Sequence, residues 1–321
     1  MTGVFRGPGF RIFKALSFAF FLVSCASRPG TRAPELPAAT TVFSVLPGGA
    51  SLYIYADVER ARPVLELMEF GGMSGASAAV ILDRTSTAVA AFYGGEEGRG
   101  YMLWGGGRYP SLRSSLSFTF SRAWRKQKSE TGNSYWRNRD EGLSVLIKSG
   151  YALVSDGDPF FTGPALEPAA LWTRLEGGAL LSGAAEKAGD RVNAFLNGLG
   201  LPLRFPAETL VFGLYPAEAA LGSSAPGGEP LYRCLFYIET PSISQARSVQ
   251  SLLSLAKRIF DNEAETGDDP FMAVMSALFA NPVRLDGTTI SINTGAMSAG
   301  EVALLFNSFS AGTLSNTEFY P

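Results

Sequence analysis

Apolar and polar residues alternate over several short stretches of the chain, which is the pattern of half-buried β-strands. The alternation is clear over residues 51–57. Residues 87–104 have the pattern of a hairpin, and we expect its second strand to end before Gly105 to Gly107. Another hairpin is predicted around Asp286-Gly287, a dipeptide that favours the tight turns of antiparallel strand pairs. The strands are short and their turns are tight, so the sequence predicts antiparallel sheets.

Helical spacing of apolar residues follows two serines, Ser242 and Ser298. Each serine is followed three residues later by Gln or Glu, which is the spacing of a capping box. We also expect a helix over residues 184–199, and residues 122–128 form a polar, basic stretch to which no element is assigned. Strand runs and helices together predict an α+β fold, with antiparallel sheets and helices packed on one face.

Two segments repeat the order hairpin, helix, hairpin: residues 87–155 and residues 210–293. This order suggests an internal duplication, although the residues themselves scarcely match. We therefore predict two α+β halves, residues 42–165 and residues 166–321, with a seam in the Pro- and Gly-containing stretch between them.

The first 25 residues combine three features in order. Arg6, Arg11 and Lys14 are basic, residues 15–23 are apolar except for one serine, and Leu22-Val23-Ser24-Cys25 ends the run. This arrangement resembles a bacterial lipoprotein signal peptide with its lipobox. A run of nine residues is far shorter than the roughly 20 that a transmembrane helix needs.

The resemblance implies that residues 1–24 are removed and that Cys25 carries a diacylglycerol and often an N-terminal acyl chain. Residues 25–41 would then form a flexible tether, and the membrane would be a partner through the lipid on Cys25. The protein would face the periplasm or the cell surface. Ala26 is not the aspartate that marks inner-membrane retention in some bacteria, which favours the outer membrane. The alternative is an ordinary secretory signal with a chance cysteine.

Charge and composition exclude several classes of protein. The signal would remove three of the 27 basic residues and no acidic ones, which leaves 24 basic against 29 acidic residues, a net charge of about −5. A nucleic-acid partner is therefore not expected. The chain has no histidine, so Ser-His-Asp and Cys-His catalytic sites and histidine zinc sites are impossible.

A cluster of aromatic and cationic residues is the candidate binding site. Its members, within residues 124–139, are Trp124, Arg125, Tyr135, Trp136 and Arg137. Aromatic rings interleaved with cations suit contact with a sugar or a polyanion. The alternative is that the aromatic residues fill the core while the arginines point outward.

Four other patterns have some features of functional sites. Ser254 and Lys257 have the Ser-x-x-Lys spacing of penicillin-binding proteins, but the supporting motifs of that family are missing. The acidic stretch 261–269 does not fit the EF-hand template, and Gly105 to Arg108 alone is weak evidence for a phosphate loop. Cys234 alternates with apolar neighbours, as a buried thiol does. The sequence predicts no catalytic residue, metal site or cofactor.

These observations favour a membrane-anchored binding or structural module of the cell envelope, which contacts an envelope protein partner. One alternative is an envelope hydrolase or transferase that uses Ser254 and Lys257 or paired carboxylates. Another is a small-ligand receptor with an apolar cavity between the halves.

The lipid anchor can be tested directly. The Cys25→Ser variant should lose all labelling when cells are grown with radioactive palmitate, because the acceptor sulfur is gone. The Cys234→Ser variant is the matched control and should label normally. Labelling that persists in Cys25→Ser would contradict the lipoprotein signal.

Overall fold

The computed structural model describes residues 43–68, 79, 81–93, 100–140, 142–161, 163–166, 172, 174–175, 177–190, 193, 204–217, 229–264 and 270–315. Cys25, the signal peptide and the tether all lie outside these residues. The chain divides into two compact units, residues Met1–Arg62 with Glu69–Pro168 and residues Pro63–Met68 with Ala169–Pro321.

The described strands follow the chain as β1 to β12. They are β1 (Leu52–Asp57), β2 (Thr85–Phe92), β3 (Tyr101–Gly107), β4 (Trp124–Lys128), β5 (Ser134–Asn138), β6 (Ser144–Ile147), β7 (Tyr151–Ser155), β8 (Leu181–Glu186), β9 (Thr209–Pro216), β10 (Tyr232–Glu239), β11 (Arg284–Asp286) and β12 (Thr289–Asn293). The described helices are α1 (Val58–Leu65), α2 (Ser111–Phe120), α3 (Ile243–Ala264), α4 (Pro270–Leu278) and α5 (Ala299–Ser315). The α+β prediction is confirmed.

The strands of the first unit form an antiparallel sheet in the order β1-β2-β3-β7-β6-β5-β4. On the face that we call the helix face, Phe118 of α2 packs on Tyr101, Val145 and Val154. On the opposite face, the ring of Phe43 contacts Tyr53 with a centroid separation of 6.0 Å. Both faces of this sheet are therefore covered at least in part by apolar side chains.

The strands of the second unit form an antiparallel sheet in the order β11-β12-β10-β9-β8. The ring of Phe212 on β9 contacts Phe236 on β10 and Phe306 on α5, with centroid separations of 6.4 and 5.6 Å. The ring of Phe260 on α3 stacks on the ring of Phe279, the residue that follows α4, with a centroid separation of 6.0 Å. In this unit, α5 packs on the face of the sheet that carries Phe212 and Phe236.

The predicted helix starts are confirmed by their capping contacts. The backbone N–H groups of Gln245 and Glu301 donate to the hydroxyls of Ser242 and Ser298, each at 3.3 Å. The Ser298 N–H donates in return to Glu301 Oε2 at 2.6 Å, which completes the capping box. The hairpin at Asp286 is also confirmed, and Gly287 adopts the positive φ of 62° that its tight turn requires.

One strand was not predicted, and the bounds of two predicted elements were wrong. The basic stretch 122–128, to which the sequence assigns no element, contains β4, because cross-strand pairing with β5 supplies order that the local sequence does not show. The helix predicted over residues 184–199 starts later, because β8 runs through Ala184 and Ala185 to Glu186 and pairs with β9. Residues 188–190 are helical, and residues 191–192 and 194–199 lie outside the described residues. Strand β3 continues through Gly105 to Gly107 rather than ending before them.

Gly107 is required by a close backbone approach. A methyl group at this position would run into the carbonyl group of Arg84, to which the N–H of Arg108 donates at 2.8 Å. Because both sides of the contact are backbone, neither can move aside easily.

The Gly107→Ala variant should therefore unfold more easily, by about 2–3 kcal/mol, because of this overlap. Gly150→Ala is the matched control, since no described atom lies within 4 Å of the added methyl group. Urea denaturation of the three proteins measures the difference. Equal losses in both variants would show that the backbone contact at Gly107 is not tight.

Candidate binding surfaces of the first unit

The hairpin of β4 and β5 carries the five candidate residues from the sequence. Its register pairs Arg125 with Arg137, Lys126 with Trp136 and Gln127 with Tyr135. Successive side chains of a strand point to opposite faces, so Trp124 and Trp136 lie on the helix face. Arg125, Tyr135 and Arg137 lie on the other face.

The two tryptophans build the contact that holds α2 against the sheet. The ring of Phe118 lies 4.4 Å from the ring of Trp124 and 5.4 Å from that of Trp136, measured between centroids. The side chain of Trp124 is buried and that of Trp136 is half-buried. Aromatic rings at these separations attract one another in addition to the area that they bury. Trp124 is therefore part of the core of the first unit.

The opposite face of the hairpin holds a polar group around Tyr135. This tyrosine is buried, and its hydroxyl donates to Gln127 Oε1 at 3.0 Å. Burial raises the pKa of Tyr135, the charge of Asp158 raises it further, and Arg137 opposes both effects. Arg137 also donates to the hydroxyl of Ser144 at 3.3 Å, whereas Arg125 is exposed. The five candidates thus do not share one surface, and ligand binding by them stays a prediction.

An apolar groove of about 200 Å³ lies on the helix face of the first unit. Its lining comes mainly from small and aliphatic side chains of five strands: Ile54, Ala88, Ala90, Leu103, Ile147 and Ala152. Each of these side chains is half-buried, which means that the groove is open to solvent. Ala90 is central, since it pairs with Ile54 of β1 on one side and Leu103 of β3 on the other.

The polar groups at one end of the groove bond to one another. Thr85 Oγ1 and the Tyr109 hydroxyl lie 2.8 Å apart, and the Ser114 hydroxyl donates to the Pro110 carbonyl at 2.9 Å. Burial raises the pKa of Tyr109, an effect that the hydrogen bond to Thr85 only partly offsets, so the phenol is neutral near pH 7. Arg84 contributes the cationic side chain of the lining. The groove therefore suits an apolar group rather than a polar one.

The glycine-rich stretch of β3 supports this surface instead of forming a phosphate loop. The Tyr109 hydroxyl covers Gly105, and the ring of Trp104 covers Gly106, so that a methyl group at either position would overlap them. The N–H of Gly107 already donates to the Gly150 carbonyl at 2.9 Å. Tight packing explains why glycines occur here.

The hydroxyl of the Ser-x-x-Lys pattern bonds within its own helix, and the cysteine of β10 is a buried thiol. Ser254 is exposed, and its hydroxyl donates to the Gln250 carbonyl at 2.7 Å, one turn earlier in α3. Cys234 is buried, and burial raises the pKa of its thiol to about 12, which keeps it protonated at neutral pH. The acidic stretch 261–269 lies outside the residues whose side chains are described. Among the side chains that are described, no group of three Cys, Asp or Glu could hold a metal ion.

Comparisons of sequence and of structure with known proteins find the same relative. No family model matches the chain. A curated relative, "Outer membrane protein TP0453" of Treponema pallidum (strain Nichols), is 27% identical over 103 residues. That match covers 32% of this chain and 35% of the relative, so the chain spans about a third of the length of the curated relative it matches.

The solved structures of TP0453 extend the likeness to the fold. Crystal forms III and I superpose with TM-scores of 0.55 and 0.52. Each covers 83% of this chain and 97% of the solved chain, at 18% identity. This chain and TP0453 therefore share an α+β fold. In the described part of this chain, no helix has the length and apolar character needed to cross a membrane.

The different roles of neighbouring hairpin residues can be measured. Trp124→Ala should reduce the free energy of unfolding by about 3–5 kcal/mol, because it removes a buried ring from the contact with Phe118. Arg125→Ala, one residue along and exposed, should change it by no more than about 0.5 kcal/mol. Urea denaturation, monitored by circular dichroism, measures the free energy of unfolding of both variants and of the parent protein. A small effect at Trp124 would contradict its place in the core.

Proposed function

We propose that this protein is an envelope-associated binding protein whose first unit takes up the apolar part of an amphiphile. The observation that carries this proposal is the open apolar groove on the helix face. Its polar neighbours Thr85, Tyr109 and Ser114 already have partners, which leaves hydrophobic contact as the force that the groove can offer a ligand.

The envelope location rests on two independent lines. The sequence resembles a lipoprotein signal that ends at Cys25, and the relative TP0453 carries the name of an outer membrane protein. A lipid on Cys25 would hold the groove within a tether's length of a membrane, whose lipids are amphiphiles with apolar chains. We place the protein on the periplasmic side or the surface of the envelope, with the outer membrane favoured.

The size and shape of the groove indicate the class of ligand. It extends over five strands but encloses only about 200 Å³, so a single hydrocarbon chain fits it better than a bulky ring system. Each methylene that such a chain buries contributes about 0.8 kcal/mol.

A fluorescent dodecanoate analogue tests the proposal. We expect saturable binding to the mature protein without its lipid, and each removal of two methylenes should weaken the affinity roughly tenfold. The Ala90→Leu variant should abolish binding because its side chain fills the groove. Fluorescence titration provides the dissociation constants.

Leu116→Ser is the matched control, because Leu116 is an exposed apolar residue of α2 that does not line the groove. It should bind the probe as the parent protein does. If the parent protein shows no saturable binding, or if Leu116→Ser loses binding as fully as Ala90→Leu, the groove is not the ligand site.

A further inference from the structure

The end of the first unit's sheet is strongly basic in a chain that is acidic overall. Residues 122–139 contain six of the 27 basic residues and one acidic residue, Glu130. Five of the six basic side chains are exposed: Arg122, Arg125, Lys126, Lys128 and Arg139. Within the described part of the chain, no ion pair involves any of these five. The charge is thus concentrated around β4 and is available to an anionic partner.

The cations of β4 point to both faces of the sheet. Lys126 and Lys128 share the face of Trp124, and Arg125 lies on the opposite face. A flat anionic surface can contact one face of a sheet at a time. A partner that lies along the edge of β4 can reach the cations of both faces.

The backbone of β4 offers that edge. The Ala123 carbonyl accepts from Arg139, and the Ser129 N–H donates to Asn133, so the odd-numbered residues bond toward β5. In an antiparallel pair the intervening residues direct their N–H and C=O groups away from the partner strand. Lys126 and Lys128 therefore present these groups at the outer edge, where the described residues supply no hydrogen-bond partner.

We propose that the outer edge of β4 binds an extended acidic segment of a protein partner as an added strand. The backbone of the segment would bond to the N–H and C=O groups of Lys126 and Lys128. Its carboxylates would meet the ammonium and guanidinium groups of β4. Peptide addition to an exposed sheet edge is a general mode of recognition in which main-chain hydrogen bonds provide much of the affinity.

The same charges select against a second copy of this chain. Edge lysines prevent like edges from pairing, because two rows of cations would repel each other. A segment with the opposite charge removes that repulsion. This site is separate from the groove, so either proposal can fail while the other stands.

Two substitutions at Lys126 separate strand pairing from simple charge attraction. Lys126→Pro removes the N–H at the outer edge, and proline is tolerated on edge strands when that N–H does not bond to the neighbouring strand. Lys126→Thr removes the same charge and keeps the N–H. The probe is a fluorescein-labelled octapeptide in which four glutamates alternate with four threonines, measured by fluorescence anisotropy.

We expect the parent protein to bind this probe and not the analogue with lysines in place of glutamates. Lys126→Pro should weaken binding at least about fivefold more than Lys126→Thr does, which corresponds to the loss of a hydrogen bond. Lys128→Pro should have the same effect. Circular dichroism tests whether each variant is folded. If one of the two proline variants is unfolded, the binding affinity of the other one tests the proposal.

Three results would overturn the proposal. The first is the absence of any binding of the glutamate probe. The second is an equal loss in Lys126→Pro and Lys126→Thr, which would reduce the site to charge alone. The third is that dextran sulfate or vesicles of anionic phospholipid bind as tightly as the peptide, and that neither proline variant weakens the binding of any of these probes. That result would identify a general polyanion or membrane surface.

Discussion

The contact of Phe118 with the rings of two tryptophans fixes where α2 lies, and the exposed surfaces of the first unit follow from that position. A helix of ten residues is about 15 Å long and 10–12 Å wide, whereas seven strands spaced about 4.8 Å apart make a face nearly 30 Å wide. One such helix cannot cover that face. Since Trp124 and Trp136 hold α2 at the β4–β5 end, the small side chains of β1 to β3 are left lining an open groove.

The alternation of side chains across β4 and β5 explains why the sequence cluster divides into two parts. Consecutive residues such as Trp124 and Arg125 must face opposite ways, so the five candidates divide between the faces, with Trp124 and Trp136 on one and Arg125, Tyr135 and Arg137 on the other. Trp124 and Trp136 pack against α2, whereas Arg125 remains in solvent.

Local signals that act over a few residues could be predicted from the sequence, as the caps at Ser242 and Ser298 and the turn at Gly287 show. Strand β4 could not, because its five residues include three cations and one glutamine, and its order comes from pairing with β5. Strand β8 was missed for a similar reason: its serine, glycine and alanines have little strand propensity and are ordered by β9. The groove could not be predicted either, since it depends on residues from five strands that only the sheet order brings together.

The sheet order also determines how the two proposed ligands would affect each other. The groove extends from β1 to β6, and β4 lies two strands beyond β6, a separation of about 10 Å. A peptide added outside β4 would lie one strand farther from the groove than β4 does, and it would not enter the groove. Both ligands would nevertheless contact elements that α2 joins, because Phe118 packs on Trp124 and on Val145, which also lines the groove. Simultaneous binding is therefore sterically allowed, and two physical connections join the sites: the position of α2 and the pairing of β4 with β5 and of β5 with β6.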